Sequence, residues 1–323
     1  MSLFSVRSKL GTITCNEFVE KDYSVFKEYY NNRKVESFNC NSMFHFYLSK
    51  KNEGCKPKSW IKSVWFEYEG YLCIVDICKR SSYLSDYPFD KNGEPMPLDL
   101  LEKLFYDASL KKKIINVPPC VVDCFGRDLI NSFGYKLIVD SIFGLDHIDD
   151  NNIIKENKGK KLANLRHTSR RFERLYPNVE VIEYDGTDDS YEMFRDIYEY
   201  WENNEGSKYN DIFDKDCYFV LLKHWDKVCY RAFAFKNRDN DELIGMTSYF
   251  VLNKDVAYCF ARKFKNEYIG SADYSQIYIS TRMLEDGIKY CHNGNDGGEG
   301  PLRFFKNKMD SVFLNKSYIL KKI

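Results

Sequence analysis

The sequence predicts an α+β fold built twice over, each half a mixed, mostly antiparallel sheet flanked by helices. Three observations predict it. A chain of 323 residues exceeds what one hydrophobic core usually organises, so two domains of about 150 residues are expected. Apolar residues make up 44% of the chain, against only 8 prolines and 17 glycines, so no stretch reads as a disordered tail. Finally, the order helix, strand meander, long helix, strand, short helix, strand recurs in both halves, although no residue-level repeat aligns.

The first half opens on a helical pattern over 16–30, with Asn16 as a candidate cap and Phe18, Phe26 and Tyr29 recurring on one face. Alternating runs at 63–68 and 71–77 read as strands joined by the hairpin pair Glu69-Gly70. A turn-rich loop at 87–97 leads to a helix over 98–113, a strand at 117–122, a short helix over 127–134 that Gly134 ends, and a strand at 135–140. In the second half Thr187-Asp-Asp-Ser190 starts an amphipathic helix carrying Phe194, Ile197, Tyr198 and Trp201, followed by a helix over 213–225. Strands at 230–235, 243–252 and 256–261 precede a helix over 275–290, a Gly-rich segment at 293–300, a short helix from Leu302 and a terminal strand at 318–320. The expected domains are 1–150 and 179–323, joined by a basic helix within 151–178.

Composition narrows the function classes. Lys plus Arg equals Asp plus Glu at 48 each, so the whole-molecule field attracts neither nucleic acid nor anionic membrane, and any such binding must come from a local patch. The opening residues carry no apolar run of signal-peptide length and no segment approaches a membrane span, so a cytoplasmic protein is expected. Eleven cysteines, an odd number without an export signal, are expected as free thiols, mostly small core residues. Cys73 with Cys78 and Cys120 with Cys124 lack C-x-x-C spacing, and no histidines stand at i, i+4, so no metal site is expected. P-loop, nucleophile-elbow and H-E-x-x-H motifs are absent.

The strongest local signal lies between the halves. Leu162, Leu165 and Phe172 make a narrow apolar seam within 158–177, while Arg166, Arg170 and Arg174 fall on one stripe at i, i+4 spacing, with Lys160, Lys161 and Arg171 beside it. Only Glu173 interrupts the positive charge. Two readings stay open: a solvated linker helix, or a site for the phosphates of a nucleotide or RNA backbone.

The run Gly159-Lys-Lys-Leu-Ala-Asn-Leu-Arg-His-Thr-Ser-Arg-Arg-Phe172, with Glu299-Gly-Pro-Leu-Arg-Phe-Phe-Lys-Asn-Lys-Met309 near the end, resembles the family typified by the C-terminal domain of bacterial phosphatidylglycerol lysyltransferase. That resemblance implies two tandem GNAT-like acyltransferase domains. It implies also an activated donor, aminoacyl-tRNA as in the related Fem peptidyltransferases or acyl-coenzyme A as in ordinary GNAT enzymes, with tRNA a candidate partner and no permanently bound cofactor. Acetyl-CoA enzymes bind pyrophosphate through Q/R-x-x-G-x-G/A at the start of the central helix. Here the matching stretch is Glu267-Tyr-Ile-Gly-Ser-Ala272, with Gly270, Ser271 and Ala272 as donor-binding candidates but an acidic leader.

Acyl transfer needs a proton acceptor, oxyanion donors and a proton source. Glu299, after the flexible Asp296-Gly-Gly, is the candidate base and Tyr278 the candidate proton donor, while Arg303 and Lys306 are candidates for donor phosphates or an anionic acceptor group. The leading expectation is transfer of an aminoacyl or acyl group to an amine or hydroxyl. The alternatives are an acetyl-CoA-dependent N-acetyltransferase and a non-catalytic RNA- or nucleotide-binding protein.

Overall fold

The computed structural model describes residues 9–19, 22–38, 60–140, 144–206, 215–297 and 300–323, which divide into two units. The first comprises Met1–Asp146 with Asn315–Ile323, and the second His147–Leu314. This differs from the expected 1–150, 151–178 and 179–323 at both joints. The basic helix is part of the second unit rather than a separate connector, and the last strand returns to the first.

The first unit holds short strands β1 (Lys9–Leu10), β2 (Ile13–Thr14) and β3 (Asn16–Glu17), then helix α1 (Tyr23–Tyr30). Next come β4 (Trp60–Tyr68), β5 (Tyr71–Cys78), β6 (Ser82–Asp86) and β7 (Phe89–Asp90). Helix α2 (Leu98–Asp107), β8 (Lys113–Val117), α3 (Pro119–Phe125), α4 (Arg127–Ser132) and β9 (Tyr135–Val139) follow. The chain's final strand, β17 (Tyr318–Lys322), completes the sheet, whose order is β3-β4-β5-β6-β8-β17-β9 with β7 on β5. The meander β4–β5–β6 is antiparallel, and β8 returns parallel to β6 after α2. Glu69 and Gly70 turn the first hairpin with both φ angles positive, as a tight two-residue loop demands.

Two expectations here are corrected. The helix expected over 16–30 starts only at Tyr23, because Asn16 and Glu17 pair with Trp65 and Val64 as β3. The Asp22 carboxylate accepts from Trp65 Nε1 (3.1 Å) and from the Val19 amide (3.2 Å), pinning the turn before α1. The strand expected at 117–122 is instead the end of β8 followed by α3. Pro119 suits the first turn of a helix, where its missing N–H costs no bond, and would have cost a rung in a ladder.

The second unit repeats the plan. Its elements are β10 (Leu145–Asp150), α5 (Asn151–Glu156), the basic helix α6 (Ala163–Leu175), β11 (Val179–Glu183), α7 (Asp188–Asn204) and α8 (Lys215–Lys223). The antiparallel strands β12 (Tyr230–Asn237), β13 (Glu242–Val251) and β14 (Val256–Phe264) precede the central helix α9 (Ser271–Glu285), β15 (Tyr290–Asn295), α10 (Gly300–Asn307) and β16 (Phe313–Lys316). The sheet order is β11-β12-β13-β14-β15-β10-β16, and β15 runs parallel to β14. Thus β12–β13–β14–α9–β15 repeats the path β4–β5–β6–α2–β8. Thr187 caps α7 by accepting from the Ser190 amide (3.2 Å), as its position in the sequence predicts. The Gly-rich segment expected at 293–300 is in part the strand β15.

Each unit has its own core. Val64, Phe66, Val75, Leu84, Leu104, Ile114 and Leu320 are buried together in the first. In the second, Phe233, Phe235, Ile244, Ile279, Met283 and Cys291 form a cluster that includes Phe172 of α6. Leu162 and Leu165 join Ile154 and Met309 in a smaller cluster, so the apolar seam read from the sequence docks the basic helix.

Candidate functional site

In the second unit β14 and β15 share only three rungs, Val256↔Tyr290, Ala257↔Cys291 and Tyr258↔His292. Beyond Tyr258, β14 continues for six residues with no further rung to β15 among the described residues. The two parallel strands therefore part. An opening between strands leaves backbone amides and carbonyls without ladder partners, which is what an acyl-transfer site needs for its oxyanion.

Polar side chains crowd this opening although they are deeply buried. The central helix buries Ser275, Gln276 and Ser280 with no exposed surface, and of these Gln276 reaches β14. Arg262 of β14 donates from Nη2 to Gln276 Oε1 and to Cys259 Sγ (3.3 Å). From α10, Lys306 donates to the carbonyls of Asn293 (2.7 Å) and Asn295, tying the frayed end of β15. A Cβ at Gly294 would press on the Tyr258 hydroxyl at 2.7 Å, so glycine lets β15 pass that close.

Behind Asn293 lies a chain of buried groups. Asp149 and Asp296 have no exposed surface and His147 is 1% exposed. Ser311 Oγ lies 2.7 Å from Asp149 Oδ1 and 3.2 Å from His147 Nδ1, and His147 Nε2 lies 3.4 Å from Asp296 Oδ2. Arg303 Nε donates to Asp296 Oδ2 at 2.7 Å, which raises the guanidinium's pKa further. Burial pushes the Asp149 carboxyl up to about 7, against hydrogen bonds from Ser311 and Asn293 that lower it. Burial first, then the charge of Lys306, depresses His147. Ser311 thus donates to Asp149 and stands beside His147 Nδ1, while Arg303 donates to the Asp296 carboxylate that faces His147 Nε2.

The raised pKa of Asp149 has a stability consequence whose sign is fixed by linkage. Between pH 4 and 7 the folded chain holds a proton that the unfolded chain, with its carboxyl at the ordinary value of 3.8, releases. This group therefore costs stability as pH rises through that window and no further above it. Asp149→Asn should flatten the dependence and raise stability at pH 8 by about 2 kcal/mol, below the full linkage value because the amide keeps only part of the hydrogen bonding. Parallel thermal melts of the two proteins from pH 4.5 to 8 check this.

The residues expected from sequence scatter more widely than one site. Glu299 lies outside the described residues. Tyr278 sits edge-on to Phe233 (5.4 Å) and Phe235 (5.6 Å) of β12, two strands from the opening, and burial raises its pKa. Lys306 and Arg303 do belong to the opening and its buried chain, although both are engaged by protein partners.

Gly270 occupies the left-handed cap of α9 at φ +93°, where an added Cβ would overlap the Thr168 carbonyl oxygen of α6 and reach Phe172 Cβ at 3.1 Å. Ser271 is 4% exposed, and Ala272 packs against the apolar cluster. Asp273, in the same first turn and 3% exposed, pairs with Lys308 at 3.0 Å. The helix N-terminus is thus covered by α6 and already faces a carboxylate of the chain itself.

The basic helix presents a different surface. Arg166 is turned back on the chain, donating to the carbonyls of Asn157 (2.8 Å) and Gly159 (3.2 Å). Lys161 pairs with Asp310 at 2.9 Å, and Lys160 is exposed. Arg170, Arg171 and Arg174 are exposed, and none has a carboxylate within 4 Å among the described residues. Every one of Arg33, Arg195, Arg231, Arg238, Arg282 and Arg303 does. A concavity of about 350 Å³ runs along this face, lined by Ala163, Arg166, His167, Arg170, Arg171 and Arg174.

Sequence reasoning missed Asp149, His147, Asp296, Arg262 and Cys259. In the sequence Asp296 reads only as part of a flexible turn, and the hint at His147 and Asp149 is the acidic cluster Asp146-His-Ile-Asp-Asp150.

No protein-family model matches the sequence, and comparison with curated protein sequences finds no match. Solved structures do match. A conserved protein of unknown function from Bacteroides thetaiotaomicron VPI-5482 superposes with a TM-score of 0.76 at 15% identity, over 95% of this chain and 98% of that one. The C-terminal domain of a protein described as a lysylphosphatidylglycerol synthetase, from Agrobacterium fabrum, does so with a TM-score of 0.63 at 14% identity, covering 94% and 92%. FemX follows with 0.61 at 10% identity, covering 96% and 98%. The fold is therefore the one that the resemblance in the central segment implies.

Proposed function

We propose that the chain is an aminoacyltransferase that takes its acyl group from a tRNA and passes it to an amine or hydroxyl. The observation that carries this reading is the contrast between two anion sites. At the N-terminus of α9, where a coenzyme A pyrophosphate would bind, Gly270 abuts α6 and Asp273 already supplies the negative charge. On α6, three exposed arginines without carboxylate partners line a concavity. Guanidinium forks in that state suit phosphate diesters, and a helix repeats the stripe about every 6 Å. The buried polar lining between β14 and β15 supports the acyl end of the donor, with backbone amides there as oxyanion donors. The resemblance of the central segment to the lysyltransferase family points the same way.

Thermal melting with coenzyme A, acetyl-CoA, uncharged tRNA and aminoacyl-tRNA tests the proposal, since a ligand bound only by the native state raises the midpoint by mass action. The expected result is a shift of several degrees with tRNA, larger for the charged form, and none with either coenzyme. A shift with acetyl-CoA alone would replace this reading with N-acetyl transfer. A shift with tRNA that leaves its acyl ester intact beside every amine offered would replace it with RNA binding.

A further inference from the structure

His147 and Asp149 are alternate residues of β10, so their side chains leave the same face of the sheet. Between them they hold both flanks of α10. Ahead of that helix the Asp296 carboxylate faces His147 Nε2 at 3.4 Å and accepts from Arg303 of the helix at 2.7 Å. After it, Ser311 donates to Asp149 Oδ1 at 2.7 Å and stands 3.2 Å from His147 Nδ1, and the Val312 amide donates to the Ile148 carbonyl at 2.9 Å.

The helix so held carries Lys306, which donates to the carbonyls of Asn293 and Asn295 at the end of β15 beside the opening. Asp149 reaches the same strand end directly, because its Oδ2 accepts from the Asn293 side chain at 2.5 Å. A single carboxyl group with no exposed surface therefore joins β10, β15 and the segment after α10.

How firmly it joins them depends on its charge. Both oxygens act as acceptors, and hydrogen bonds to an ionised acceptor are about twice as strong as those to a neutral one. A proton on Oδ2 would meet the hydrogens of the Asn293 amide, and one on Oδ1 would turn the Ser311 hydroxyl hydrogen away, so the neutral acid holds both partners less firmly. Among the described residues no cation comes within 4 Å of Asp149. Arg262 of β14 and Lys306 of α10 favour the carboxylate from farther off, while burial, the larger effect, moves its titration up to about 7. Cys291 of β15, its thiol pushed up by its neighbour Cys259 and by burial, and His147, depressed by burial, face the group uncharged near that pH. The Asp296 carboxylate beyond His147 is paired with Arg303.

We infer that Asp149 is a positioning residue for transfer: as a carboxylate it fixes the end of β15 and α10, with Lys306, around the opening, and on taking a proton it slackens both. Its part in transfer rests on the acyltransferase reading above, whereas the brace itself does not. None of these bonds involves Arg170, Arg171 or Arg174, so the effect belongs in kcat rather than in KM for the donor.

The full-length chain tests this with Asp149→Asn, which keeps the shape of the side chain and removes its titration. For both proteins kcat for transfer from aminoacyl-tRNA to one acceptor is measured from pH 5.5 to 8.5. Titrations that the two share cancel in the ratio of wild type to variant. That ratio should rise about tenfold with a midpoint near 7, while KM for the donor stays within about twofold of the wild type. A flat ratio, or one that moves through KM alone, overturns the positioning role. Hydrogen exchange read by mass spectrometry needs no turnover. Asp149→Ala should speed exchange in 291–297 and 300–312 by about fivefold or more and leave α7 and β12 at the wild-type rate. Unchanged exchange in those two segments, or an equal rise throughout the second unit, overturns the brace. A wild type that transfers from no donor, with the exchange change confined to those segments, supports the brace and overturns the acyltransferase reading instead.

Discussion

Replacing Arg170 and Arg174 together by glutamate should lower tRNA affinity by roughly 100-fold at 0.1 M salt and reduce the slope of log affinity against log salt by about two. Both side chains are exposed and without carboxylate partners among the described residues, so the substitutions break no internal bond. The melting temperature of the free protein should stay within about one or two degrees of the wild type, since exposed substitutions away from such bonds change stability little. Arg166→Glu behaves differently, because its guanidinium holds the carbonyls of Asn157 and Gly159. It should weaken folding and tRNA binding together. A double variant that binds tRNA as the wild type does, with an unchanged salt slope, would show that α6 is only a docked, solvated helix. Filter binding across a salt series with melting in parallel decides the matter.

Gly270→Ala should destabilise the second unit by about 2–5 kcal/mol, combining the cost of a left-handed non-glycine residue with overpacking of a closed contact. Gly159→Ala provides the control. Gly159 has φ +83° and open space around its Cβ position, so it carries the conformational cost alone, about 1–2 kcal/mol. The difference between the two, read from denaturant midpoints, measures how tightly α6 is pressed on the start of α9. Equal losses would mean that the approach of Thr168 and Phe172 relaxes freely. In that case the helix N-terminus would open cheaply, and the physical argument against coenzyme A would lose its basis.

Several elements were readable from the sequence because their signals are local. Thr187 caps the helix that it precedes, Glu69-Gly70 turns the hairpin that it interrupts, and Leu162, Leu165 and Phe172 bury the seam that they outline. The cap and the hairpin join atoms a few residues apart, and the seam is written in the spacing of its own residues even though its partners, such as Met309, are distant, so spacing and residue type suffice. Where local preferences compete, sequence reading failed. Val117 to Val122 has strand-forming residues, but Pro118 and Pro119 end the ladder and favour a helix start. Asn16 can cap a helix, yet its place opposite Trp65 makes it a strand.

The sequence by itself therefore determined the class of fold, the doubled plan, the amphipathic faces of the helices and the charged stripe on α6, all properties of neighbours along the chain. Only the tertiary structure decided that β17 completes the first sheet between β8 and β9, and that Asp149 meets Ser311 and Asn293 while His147 meets Asp296. It also decided that Gly270 lies closed against Thr168 and Phe172, and that Cys259 faces a guanidinium. The physical reason is the same throughout. Burial, counter-charge and close approach depend on which distant segments share a core. No periodicity along the chain records that a carboxyl at 149 will be desolvated by groups 144 and 162 residues away.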